Sequence, residues 1–408
     1  MPENNTIGGK QVSQLADKRG KPQYFAALDG FRGVLALMIA VYHTMWLSTI
    51  NSTELFNNGP ILVDLFFVFS GFLMFYLYDG HINTGAQGKA FIKRRIARIY
   101  PIHFVMLMVA VLYAFARIVA HWLGFATLTP GEILPFQPGA TETWQSFAAH
   151  LTLTQSMGLH DSLSFNIPSW TVSVEFWTYF VFLGMMVWAR PKKPIHFMVI
   201  AALIAVNYYV LSGLKPDMNF HYDLGFWRCL GGFFTGVLVA YIYRLALPGF
   251  KRLDLNRWLA TLIELVVLSI MVGFVIYFPG KAQFFIAPIA FIFVLGFAFD
   301  MGGVSRLMGT RPLRYLGRIS YSIYMVHILV SLFFSIGAEM VFPKILGPAW
   351  NVTLIYGDLL MIPYLLIVIT LSHFTYKYVE MPGRKAILAY DFSGRLRTIL
   401  LRLKLRSA

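Results

Sequence analysis

The sequence predicts an all-α polytopic membrane protein, a bundle of about ten transmembrane helices with both termini in the cytosol. Three observations predict it. Of 408 residues, 57% are hydrophobic and only 13% are charged, where a soluble domain carries about a quarter charged. Apolar stretches of membrane-crossing length recur along the whole chain. The lysines and arginines gather in every second loop. This composition excludes an ordinary cytosolic enzyme. The single cysteine, Cys229, excludes an intrachain disulfide scaffold and a four-thiolate zinc site.

Crossing a bilayer takes roughly 20 predominantly apolar residues. Stretches near or above that length run at about 31–50, 60–78, 100–123, 171–189 and 195–211. Five more follow at about 223–243, 258–278, 282–299, 319–336 and 352–374. With the N-terminus placed in the cytosol, 28 of the 34 basic residues fall in inside segments and three in outside loops, and Arg32, Arg117 and Arg228 lie within spans. That bias fixes an N-in, C-in orientation. The net charge of +15 therefore faces anionic lipid and cytosolic ligands, with no call for nucleic acid. About 25 mostly polar residues precede a full-length first span, so no cleavable signal peptide is expected.

The chain divides into a polar cytosolic segment (1–25), one membrane domain (26–384) and a basic amphipathic tail (385–408) suited to lipid headgroups. The outside loop 124–169 is the long exception among short connections, and within it 144–153 reads as a short surface helix. A loop of that length often has a task. It reads either as a rim over an outward-facing cavity or as surface decoration.

Ionisable groups inside spans cost about 2.5–3.5 kcal/mol each on insertion scales, and so mark functional sites. Arg32 and His43 lie eleven residues apart on the first span, which puts them on one helix face and roughly 16 Å apart. That suits an elongated ligand with an anionic head at Arg32 and a reactive end at His43. The plain alternative is a snorkelling arginine and a hydrogen-bonded core histidine. In the cytosolic run from Lys93 to Arg98, a helix would gather Arg94, Arg95 and Arg98, whose guanidinium forks suit phosphate. The same run also serves as a topology signal.

Asp64 begins the second span, Glu175 lies one turn into the fourth and Arg228 one turn into the sixth. A buried carboxylate needs a partner. Either acid would orient His43 as the acidic member of a hydrolytic triad does, or Asp64–Arg228 and Glu175–Arg117 are structural ion pairs. His327, on the ninth span, reads as a core hydrogen-bonding residue unless the fold brings it to the same cavity.

The order of these blocks resembles the acyltransferase-3 family. The resemblance rests on Leu28-Asp29-Gly30-Phe31-Arg32-Gly33 with His43, on Asp64-Leu65-Phe66-Phe67-Val68-Phe69-Ser70-Gly71-Phe72-Leu73, and on Arg94-Arg95-Ile96-Ala97-Arg98-Ile99-Tyr100-Pro101. It continues in Ser169-Trp170-Thr171-Val172-Ser173-Val174-Glu175-Phe176-Trp177, in Leu316-Gly317-Arg318 through His327, and in Val379-Glu380-Met381-Pro382. It spans residues 25 to about 384; each block alone is weak, and their order and spacing together are specific. Thr171 stands where many members have Ser-Leu, a mild departure.

The resemblance implies a ten-span membrane enzyme that passes an acyl group, commonly acetyl, from cytosolic acyl-CoA to hydroxyls of glycans or lipid-linked precursors outside. It makes His43 the expected catalytic group, as general base or as an acyl-carrying nucleophile. It associates Arg94, Arg95 and Arg98 with the donor, makes Arg32 and His43 the family's arginine–ten residues–histidine motif, and puts acidic positions at Glu175 and Asp64. Arg32 is expected to join the donor site, and either acid to hold His43 or bind the acceptor. Trp170, Arg228 and His327 are the candidates on the acceptor side. Acyl-CoA is the donor substrate, and the activated thioester requires neither ATP nor a metal. Many members carry a further extramembrane esterase-like domain, expected here as a separate protein. The expected location is the bacterial cytoplasmic membrane. A secondary transporter and a non-catalytic subunit of a polysaccharide assembly system are the competing classes.

Overall fold

A computed structural model describes residues 23–390, apart from 251, 254 and 348–352. The expected cytosolic segment and basic tail fall largely outside the described residues, which omit 1–22 and 391–408. Among the described residues the chain is helices and connecting turns. The main helices are α1 (Ala26–Tyr42), α2 (Val63–Tyr78), α3 (Gly85–Trp122), α4 (Trp144–Thr152), α5 (Trp170–Gly184) and α6 (Pro194–Leu214). They continue with α7 (Gly225–Phe250), α8 (Arg257–Tyr277), α9 (Ile286–Ala298), α10 (Arg311–Leu346) and α11 (Leu354–Thr375). After α11 the chain passes through a π-turn, Tyr376–Glu380, into a last helix, Met381–Ala389.

Nine of the described helices are long and apolar enough to cross a membrane. Helix α1 is not among them, and here the structure departs from the expected span at 31–50. At 17 residues and 1.5 Å each, α1 is roughly 25 Å long, short of the apolar slab of about 30 Å. It ends at Tyr42 because His43 closes the last turn onto Ile39 O. Beyond it, Asn51 donates to Thr44 Oγ1 and to the Trp46 carbonyl, each at 2.8 Å, and fastens a polar turn. Trp46 counts as span by hydropathy, yet it is buried against Phe334 and Tyr364 and donates its indole N–H to Gly357 O at 3.1 Å.

Helix α3 also differs from its expected bounds. It starts fifteen residues before the expected 100–123 stretch, at a capping box in which Thr84 Oγ1 accepts from Gln87 N and Gln87 Oε1 accepts from Thr84 N. The arginine cluster is thus continuous with the span. The surface helix expected at 144–153 forms as α4, started by the reciprocal Thr143–Ser146 cap.

Two parallel helix pairs organise the bundle. Helix α1 lies on α10 so closely that a Cβ on Gly317 would stand 1.9 Å from Asp29 O. Ten residues beyond the Gly33–Gly317 contact on both helices, His43 meets His327. Helix α2 lies on α7, where a Cβ on Gly236 would be 2.1 Å from Val68 O. Small residues allow this backbone approach, which compensates for the absence of a hydrophobic drive between helices in lipid. Ion pairs join α2 and α7 at both ends, Asp64–Arg228 and Asp79–Arg244. Outward faces of α6 and α8 expose Leu203, Val206, Tyr209, Leu262, Val266 and Ile270, a surface suited to hydrocarbon.

Candidate active site

Helix α1 presents a cation near its middle, Arg32, and an imidazole at its C-cap, His43. Arg32 lines a cavity of about 150 Å³ enclosed by α1, α2, α3, α5 and α10. Arg95 and Arg98 enter it from consecutive turns of α3, and Ser70, Glu175 and Tyr179 line it as well. Each arginine is held differently. Arg32 reaches Asp29 Oδ1 at 3.4 Å, one helical turn away. Arg98 pairs with Glu380, which is fully buried and accepts a second hydrogen bond from Ser322 Oγ at 2.9 Å. Arg95 lies 5.8 Å from the ring centres of Tyr78, Phe91 and Tyr179, and its Nε is buried with no hydrogen-bond partner among the described residues. A buried donor left open in this way costs free energy until a ligand fills it, and guanidinium over aromatic faces is well placed to receive phosphate.

Glu175 accepts from Tyr179 OH at 2.6 Å, and Ser70 Oγ lies 3.3 Å from the same hydroxyl. This chain of polar groups forms the acidic wall of the cavity. Arg94 stays outside: it is exposed and donates to Tyr78 OH at 3.1 Å. The expected set of four donor arginines is thus three in the cavity and one on the surface.

His43 caps α1, and its Nδ1 is 3.0 Å from Ile39 O. His327, buried on α10, places Nε2 3.2 Å from His43 Nδ1 and Nδ1 3.3 Å from Ile323 O. A carbonyl oxygen only accepts, so both Nδ1 atoms carry protons. His327 Nε2 is then the acceptor for His43 Nδ1–H, and His43 Nε2 keeps a bare lone pair. Ser331 Oγ donates to His43 O at 2.9 Å, and Tyr364 OH donates to Ala40 O at 3.0 Å, so the end of α1 is fixed from two sides. The lining of the arginine cavity ends at Tyr324, whose ring lies 5.7 Å from that of His327. His43 itself is not part of that lining.

His43 meets His327 rather than either acid, and of the two readings of Asp64 the ion pair with Arg228 is the one present. Asp64 engages Arg228 through two oxygens at 2.6–3.3 Å. The remaining Arg228 donors go to Pro60, Met218 and Phe220 carbonyls. Trp170 lies under this guanidinium at 5.4 Å. Asp64, Arg228 and Trp170 form one buried polar joint between α2, α5 and α7 and line neither cavity described here. Arg117 pairs with Glu132 at 2.7 Å rather than with Glu175. Glu132 lies outside the spans, and the Thr129 amide and hydroxyl, with Arg117, hold it down to about 2.

Sequence reasoning gave no role to Glu380, Tyr179 or Tyr324, although each touches the site. For Glu380 a signal was present: it is a lone acid in a basic segment, four residues before Arg384.

A family model described as an acyltransferase domain matches residues 25–378. The chain is 20% identical over 392 residues to the O-acetyltransferase OatA of Staphylococcus aureus, covering 90% of this chain and 58% of the relative. It is 23% identical over 397 residues to the peptidoglycan O-acetyltransferase OatA of Listeria monocytogenes, covering 91% and 58%. A putative peptidoglycan O-acetyltransferase of Bacillus subtilis, YrhL, is 25% identical over 332 residues, covering 75% and 48%. The chain thus spans about half the length of the curated relatives it matches. No solved structure matches.

Proposed function

The chain belongs to the acyltransferase-3 family, and from that premise we propose that it is a multi-pass O-acyltransferase of the bacterial cytoplasmic membrane. It moves an acyl group, acetyl first among them, from cytosolic acyl-CoA to a hydroxyl of a glycan outside. Two relatives are named for peptidoglycan, so that polymer is the first acceptor to try; exopolysaccharide and O-antigen offer the same hydroxyl chemistry. In this reading α1, although about 5 Å shorter than the apolar slab, is the first of ten spans, and both termini are cytosolic. The placement of 28 of the 34 basic residues supports that orientation.

One observation carries the proposal. The imidazole with a bare Nε2 stands at the C-cap of α1, and Arg32, near the middle of the same helix, opens into a cavity holding three guanidinium groups. The donor's phosphates pair with Arg32, Arg95 and Arg98, and its pantetheine arm runs along α1 for roughly 16 Å. Tyr324 lies between the cavity and the histidines, and a swing of its ring admits the thioester. The acceptor oxygen attacks the thioester carbonyl while His43 Nε2 takes the hydroxyl proton. A C–O bond forms and the C–S bond breaks. The departing thiolate takes the proton from His43, which returns to its starting state. His327 accepts from His43 Nδ1–H throughout and holds Nε2 toward the reacting atoms. Glu175 and Tyr179 line the donor cavity beside Arg95.

The test has two readouts on the full chain in detergent or in cells. Acetyl-CoA raises the melting temperature of the purified protein, and acetate released by mild alkali from surface glycans depends on His43. In His43→Ala the first effect persists and the second disappears. No stabilisation by acetyl-CoA in the unsubstituted protein would return the transporter and the non-catalytic subunit to first place.

A further inference from the structure

A second cavity, of about 160 Å³, lies beyond the histidine pair. Its position follows from three chain segments. On α10 the arginine cavity is lined by Ser320, Tyr321 and Tyr324, and the second cavity by Ile328, Leu329 and Leu332, with His327 between them. On α3 the arginine cavity takes Arg95, Arg98 and Ile99, and the second takes Ala110, Tyr113, Ala114 and Arg117. From α1 onward, Arg32 belongs to the first and Met45, two residues past His43, to the second. Along all three segments the two cavities therefore lie on opposite sides of the histidine pair, which belongs to neither lining.

The second cavity is closed by the long loop 124–169, through Glu142, Phe165 and Ile167. Phe165 and Phe136 both hold positive φ, +50° and +64°, in the left-handed region that bulky side chains avoid. Such backbone persists where the surroundings impose it, commonly at binding sites. Here it brings the Phe136 ring into a stack with Trp144 at 4.5 Å and with Phe115 at 5.2 Å. Trp144 remains well exposed. Two polar groups on the wall are uncommitted among the described residues. The Glu142 carboxylate has only the neighbouring Thr141 hydroxyl, at 2.9 Å, and Tyr113 meets Phe333 edge-on with no hydrogen bond from its hydroxyl.

Resting on the function proposed above, we infer that this cavity is the acceptor site and that it takes one sugar residue of a glycan chain. A carboxylate and a phenol hydroxyl bind sugar hydroxyls, Met45, Phe165 and Leu332 cover the apolar face of the ring, and the exposed Trp144 stack receives the next residue outside. A lipid acyl chain is the competing occupant, and it would make no use of Glu142 or Tyr113. Transfer then proceeds between two separately filled rooms, with His43 at the doorway.

The experiment uses cells whose only copy of this chain carries Glu142→Gln, Tyr113→Phe or Ala114→Trp, with alkali-released surface acetate as the readout. The same proteins, purified, are checked for acetyl-CoA-induced stabilisation. Glu142→Gln and Tyr113→Phe are near-isosteric, and they guard against a folding failure of Ala114→Trp. We expect acetate to fall about tenfold or more in Glu142→Gln and in Ala114→Trp, with donor stabilisation unchanged. Acetate at the unsubstituted level in all three would overturn the acceptor site while leaving the acyltransferase reading intact. Acetate at that level in His43→Ala would overturn the reaction proposed at His43 itself. Loss of donor stabilisation in Glu142→Gln would make the carboxylate a structural group and also defeat the inference.

Discussion

The Nε2 atom of His327 stands 3.2 Å from Nδ1 of His43, although the two residues are 284 positions apart in the chain. The parallel, close-packed pairing of α1 with α10 creates this contact, and carbonyls one turn back on each helix fix both tautomers. His43 is thus oriented by a second imidazole and a backbone carbonyl, where a carboxylate would do the same work in a hydrolytic triad. Its Nε2 faces away from both, free to take a proton.

His327 acts through His43, so its replacement should change turnover more than binding. In His327→Ala, kcat for acetyl transfer should fall about 10- to 100-fold, in the range of lost orienting hydrogen bonds, with the KM for acetyl-CoA unchanged. His327→Gln keeps an acceptor oxygen near the same place and should recover part of the loss. Steady-state kinetics of the three proteins check this. Equal losses in Ala and Gln variants would reduce His327 to a packing residue.

Arg94 and Arg95 are neighbours in sequence, yet only Arg95 lines the cavity and has a buried Nε without a partner. A hydrogen bond to a charged group is worth about 1.5–3 kcal/mol. Arg95→Ala should therefore raise the KM for acetyl-CoA by about 10- to 100-fold. Arg94→Ala should change it by no more than about threefold, the scale of a surface charge. Titration of acetyl-CoA against melting temperature gives the same ranking without turnover. A reversed ranking would move the donor to the outer face of α3.

These contrasts show what can be read along one helix and what cannot. The eleven-residue spacing of Arg32 and His43 is a property of a single helix, and α1 carries the first near its middle and the second at its C-cap. Partner choice between helices is different. His43 had several partners open to it, and Asp64 could have met any of three cations. Gly33, Gly317 and Gly236 decided the outcome by setting which helices touch and in what register. The end of the first span was misread because hydropathy weighs Trp46 as it weighs a lipid-facing residue. Burial between α10 and α11 and a hydrogen bond to Gly357 O make it a plug. Glu380 was readable as an acid in a basic stretch, but its role depends on Arg98, 282 positions earlier.

Asp64 and Arg228 test whether burial and charge alone identify a catalytic group. Both are almost fully buried, and every donor of Arg228 is used within the protein. Removing one member of such a pair leaves an uncompensated charge and costs about 3–5 kcal/mol, whereas replacing both with apolar residues of similar volume is often close to neutral. Asp64→Leu alone should therefore lower the melting temperature strongly, as should Arg228→Met alone, and the double variant should regain most of the loss. Folded protein from the double variant should keep the KM for acetyl-CoA and retain most turnover, because neither side chain lines the arginine cavity. A thermodynamic cycle over the four proteins, with kinetics on each, separates the roles. Full stability combined with absent turnover in the double variant would put this carboxylate back into the chemistry.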